Sequence, residues 1–134
     1  MRDNIAETPT LPPNQDKLPK DEQGQPRNLS LAEAKKVKDS VIATLQTIFD
    51  PEIPVNIYEL GLVYNVSVGL DGIVEIRMTL TSPACPVAGT LPGDVERKLR
   101  DLEWVSAAKV HLVWDPPWGK HMMSEAAKLE LNVM

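Results

Sequence analysis

The chain has 134 residues, 25% of them charged, with 14 Lys and Arg against 19 Asp and Glu, a formal net charge of −5. That length supports one domain around one core, and the acidic balance excludes a surface built to hold nucleic acid or an anionic membrane. No apolar run reaches the roughly 18 residues of a membrane span, and a single cysteine rules out an internal disulfide, so the expected setting is a reducing cytoplasm.

Residues 1–28 hold five of the 12 prolines, few large apolar side chains and nearly balanced charge. No helical or strand period runs through them, and the segment is expected to be a disordered tail, with the folded domain covering 29–134. A helix start follows at Ser30, with Glu33 three residues on and Leu29 and Ala34 placed as a hydrophobic staple. Val37, Val41, Leu45 and Ile48 recur at helical spacing, and Ile42 and Phe49 widen the stripe, so the helix is expected to run about 18 residues to Asp50-Pro51.

Residues 50–55 read as an irregular loop between two prolines, and "VNIYEL" as one helical turn stopped by Gly61. Leu62, Tyr64, Val66 and Val68 alternate as a strand, "GLDG" marks a turn, and Val74, Ile76, Met78 and Leu80 alternate as a second strand. Val87, Leu91, Val95, Leu99 and Leu102 then lie at helical spacing, with Pro92-Gly93 implying a kink or a start near Leu91. Ala108, Val110, Leu112 and Trp114 alternate as a third strand, which turns Lys109, His111 and Val113 away from the core. "DPPWG" is a rigid loop and "SEAAKLEL" a short closing helix. The order α-β-β-α-β-α implies an α+β fold, a compact two-layer domain with a three-stranded sheet covered by helices. An apolar sheet face left partly uncovered would favour a homodimer.

Cys85 is the chemical question. It lies in "TSPACPVAG", past the second strand and at or just before the N-terminus of the second main helix, where unpaired amides and the helix dipole favour a thiolate. The plain alternative is a small buried hydrophobe. As a nucleophile it needs a base, and the chain has only His111 and His121. As a zinc site it needs further ligands that no CxxC pair supplies. A single thiolate cannot fill an iron–sulfur cluster's ligand set, but it suits transient binding and handover with a second molecule completing the set. Asp50 and Glu52 can supply carboxylates nearby or merely close a turn. Thr81 and Ser82 can donate to the sulfur or to the loop backbone. His121 is a further candidate ligand, while Met122 and Met123 read as core rather than as thioether ligands.

Three blocks, "DPEIPVNIYELGLVY", "MTLTSPACPVAGTLP" and "VHLVWDPPWGKHMMSEAAKLELNVM", in this order and spacing, resemble the SUF-associated family of iron–sulfur assembly proteins. That family is SufT-like and of the MIP-type metal–sulfur cluster assembly domain. The resemblance runs from about residue 36 to the end. It implies a non-enzymatic factor that works with the SUF machinery and with iron–sulfur client apoproteins and holds an iron–sulfur cluster transiently, contacting neither nucleic acid nor membrane. It also implies that Cys85 matches the family's characteristic cysteine and that Asp50, Pro51 and Glu52 match its acidic loop. The same domain type occurs in PaaD-like accessory factors for ring oxygenation; these carry extra C-terminal cysteines that are absent here. Gly119-Lys120-His121 departs from the turn the family pattern leads one to expect.

Overall fold

In the computed structural model, residues 12–50, 53–81 and 90–131 are described. Helix α1 spans Leu31–Leu45, strand β1 Val63–Val68, β2 Ile73–Met78, helix α2 Leu91–Arg100, strand β3 Ala107–Leu112 and helix α3 Glu125–Glu130. This is the expected α-β-β-α-β-α order.

α1 begins as its sequence dictates. Ser30 Oγ accepts from Glu33 N, and the Glu33 carboxylate accepts from Ser30 N at 2.9 Å, a complete capping box. Arg27 clamps the same carboxylate with both of its terminal nitrogens at 2.9 Å. Hydrogen bonding to Arg27 foremost, and to the Ser30 amide, pulls the Glu33 carboxyl down to about 2. The helix stops earlier than its apolar stripe suggested. Thr44 and Thr47 hydroxyls donate to the carbonyls of Ser40 and Thr44, and Phe49 turns out to pair with Asn56 in an antiparallel bridge. Side-chain bonds of this kind compete with helix continuation. Phe49, expected on the buried stripe, is 55% exposed.

β1 and β2 form an antiparallel hairpin, and β2 pairs in parallel with β3 through α2, giving sheet order β1-β2-β3. Val74, Ile76, Met78, Ala108, Val110 and Leu112 share the face that α1 and α2 cover, against Val37, Val41, Leu45, Val95 and Leu99. Each such side chain taken fully out of water contributes about 1.5–3 kcal/mol. The opposite face carries Glu75 and Arg77, and His111 Nε2 lies 3.1 Å from Glu75 Oε1 there, as its strand parity required. A bulge between Val63 and Asn65 shifts the register of β1, so Tyr64 leaves the apolar face its alternation predicted.

The expected disordered tail is corrected over residues 12–28, which form a strap along the domain. Asn14 N donates to Ser106 O at 2.7 Å, Lys17 Nζ to Arg100 O at 2.6 Å and Leu29 N to Leu70 O at 2.7 Å. Leu18, 6% exposed, lies beside Gly72 and adds an apolar anchor to these bonds. Residues 1–11 lie outside the described residues.

Candidate functional site

Described residues of the three sequence blocks meet at one end of the sheet. Val63 opens β1 opposite Met78, which closes β2, and Met78 pairs with Leu112 at the close of β3. Two bonds lock this end: Thr79 N donates to Leu62 O and Val113 N to Met78 O, both at 2.8 Å.

The first block folds on itself. Ile57 N donates to Ile48 O at 2.8 Å, closing the loop that carries Asp50, which is 3% exposed. Asn56 caps the short turn after it, its Oδ1 accepting from Glu59 N at 2.9 Å, and Gly61 ends the turn at φ 83°. The third block then docks on the first. Trp118 Nε1 donates to Leu60 O at 2.7 Å, Ser124 N to Glu59 O at 2.9 Å, and the Met122 carbonyl sits against Gly61 where any Cβ would stand. From β1, the Tyr64 hydroxyl donates to Pro116 O at 2.7 Å and approaches Met122 Sδ at 3.6 Å. Burial raises the Tyr64 phenol above its ordinary range, Thr79 opposing and Asp115 adding to the rise, so it remains a hydrogen-bond donor at neutral pH. Trp118 is thus a tether.

In the middle block Leu80 and Leu91 are buried, 2% and 5% exposed. Helix α2 starts at Leu91, one of the two readings of Pro92-Gly93, with Thr90 at the N-cap and Pro92 in the first turn. Cys85, Ser82 and Glu52 lie outside the described residues, as do Val87 and Pro51. Thr81 is half-buried just past β2. His121 is exposed in a 3-10 turn, Lys120–Met122, its ring folded over Gly119. Met123 is buried at 6% exposure and Met122 is half-buried under Tyr64. Among the described residues no three of His, Cys, Asp and Glu gather to hold a metal ion. An open groove of about 280 Å³ is walled by Phe49, Val55, Glu59 and Ala127.

Sequence reasoning missed the Trp118–Leu60 tether and the placement of Tyr64. It also missed Glu96, 3% exposed, whose Oε2 accepts from Val110 N at 2.8 Å. Glu96 was legible: it shares the i, i+3, i+4, i+7 stripe with Pro92, Val95 and Leu99. Nothing in "VYNVSV" announced the bulge.

Compared with known proteins, residues 38–112 match the family described as "Iron-sulfur cluster assembly protein". The chain is 46% identical over 99 residues to the Fe-S protein maturation auxiliary factor of Porphyromonas gingivalis, covering 74% of this chain and 94% of that one. It is 41% identical to the Fe-S protein maturation auxiliary factor SufT of Staphylococcus aureus, over 64% of this chain and 98% of that one. The fold is similar to the crystal structure of a domain of unknown function, DUF59, from Bacillus anthracis. The TM-score is 0.72 at 36% identity, over 78% of this chain and all of that one.

Proposed function

This chain belongs to the iron–sulfur cluster assembly protein family, and from that premise we propose that it matures iron–sulfur proteins as a carrier or adaptor, with the cluster as cargo and Cys85 as the contact sulfur. The observation that carries the reading is the family match over residues 38–112, which encloses Asp50, Glu52 and Cys85 in one unit.

The chemistry is ligand exchange. The Cys85 thiol gives its proton to solvent as its sulfur replaces a donor's thiolate on an iron of the cluster, and the departing thiolate takes up a proton. On handover that iron–sulfur bond breaks as a client thiolate forms its own, and no electron changes place. A chain with one cysteine cannot complete a cluster's ligand set, so the cargo stays exchangeable. Thr81 and Ser82 hydroxyls donate to the sulfur, and His121 offers a second ligand from its exposed turn. Asp50, buried at 3% exposure, acts with Glu52 by holding the loop rather than by reaching the iron itself. The partners are the SUF machinery and client apoproteins. A cytoplasmic setting, in which a lone thiol stays reduced, fits this role, and no helix of the described residues is long and apolar enough to cross a membrane. The role is one of delivery, not of catalysis.

The test is anaerobic reconstitution with iron and sulfide, followed by visible absorbance and transfer to an apo-client, for wild type and Cys85→Ser. Wild type is expected to gain charge-transfer bands and to activate the client, and the variant to do neither while remaining folded. A variant that reconstitutes and transfers like wild type overturns the thiol role. One that still binds client but is unstable marks the cysteine as structural.

A further inference from the structure

The two outer strands of the sheet are finished differently. At β3, the Val110 N–H is taken by the buried Glu96 carboxylate, so a position that an added strand would use is already filled by a side chain. At β1 no such cap is present among the described residues. Gly69 N donates to Ile73 O at 2.9 Å inside the hairpin. By the alternation of an antiparallel pair, Asn65 and Ser67 also turn their backbone inward, and Val66 and Val68 present theirs to the open edge.

Beside that edge runs a groove of about 470 Å³, with Ala34, Val66 and Val68 along it and Leu31, Lys35 and Lys38 on its α1 side. Leu31 is 80% exposed. Lys35 meets Asp39 at 3.6 Å, in a pair whose members are 76% and 67% exposed, an interaction readily exchanged for another. In a chain of net charge −5, the β1 edge is thus flanked by an apolar step and two lysines.

We propose that the β1 edge receives an extended segment of a partner protein as a fourth strand, with apolar and acidic residues alternating along the face it turns to α1. Main-chain bonds to Val66 and Val68 would hold it, Leu31 and the valines would take its apolar side chains, and Lys35 and Lys38 its carboxylates. A second copy of this chain fits less well. β1 carries no acidic residue, and β1-to-β1 pairing would bring both copies' lysines into one groove.

The test uses the full chain with a synthetic peptide, Thr-Val-Thr-Glu-Thr-Val-Thr, and a control with Lys in place of Glu, read by amide hydrogen exchange at single-residue resolution. The acidic peptide is expected to slow exchange at Val66 and Val68. Charge reversal by Lys35→Glu with Lys38→Glu, on an exposed helix face, is expected to weaken it about tenfold and to favour the lysine peptide. The inference is overturned if neither amide is protected at millimolar peptide or if both peptides act alike. It is also overturned if protection appears without peptide and rises with protein concentration, which would make a second copy the occupant.

Discussion

Gly61 is where two of the functional blocks touch, and it has no room for a side chain. Its φ of 83° lies in the left-handed region, and the Met122 carbonyl occupies the place of a Cβ. Gly61→Ala is therefore expected to lower stability by about 2–4 kcal/mol in urea unfolding, since it adds a backbone clash to the conformational cost. Gly24→Ala supplies the contrast: φ is 80° there, but nothing lies within 4 Å, and the loss should stay near about 1 kcal/mol. Trp118→Phe keeps most of the ring's packing but leaves Leu60 O without its indole donor. It should cost about 1–3 kcal/mol, with exchange at residues 57–61 rising before the sheet opens. At this scale the sequence was readable where a residue type has one strong local use. Ser30 with Glu33, and Gly61 as a stop, are such cases. Tyr64 and Trp118 were not readable, because their partners, Pro116 and Leu60, are more than fifty residues away and are set by the fold.

Elements show the same division. The start of α1 follows from local chemistry, and its acid response follows with it. Glu33 is held at about 2 when folded, against an ordinary carboxyl near 4.5. Its contribution is thus complete above about pH 4.5 and is lost as pH falls through about 2, because the unfolded chain binds the proton first. Comparing urea unfolding of wild type and Glu33→Gln from pH 2 to 6 should show a gap that is constant above about pH 5 and closes on the acid side. The end of α1 depends instead on the bridge between Phe49 and Asn56, a tertiary feature that overrode the apolar stripe. α2 carries its own test. Glu96→Ala strands the Val110 N–H in a buried place and is expected to cost about 1–3 kcal/mol, whereas Glu96→Gln keeps an acceptor and should stay close to wild type.

For the whole molecule, element order, hairpin and covered face were all visible in the periodicity, since burial imposes a period of two on strands and of 3.6 on helices. What periodicity could not show was the strap over residues 12–28, which has no repeating apolar face and holds on through Leu18 and a few backbone bonds. A chain beginning at residue 29 should therefore unfold with less urea than one beginning at residue 12, by about 1.5–3 kcal/mol for the Leu18 anchor. For the site, the lone cysteine and the three blocks were legible as sequence. The docking of "DPPWG" onto the turn before β1 was not, because no local pattern records a contact between distant loops.

The strap also fixes which way the molecule faces when it is held. Its bonds reach Leu70, Arg100 and Ser106, at the end of the sheet where β1 turns into β2 and β3 begins. Asp50's loop and the exits of β2 and β3 lie at the other end, one strand length away, about 17–20 Å. A bead, a fluorophore or a fused protein joined directly at residue 12 therefore sits beside the strap's end of the sheet, a strand length from Asp50 and the exits of β2 and β3.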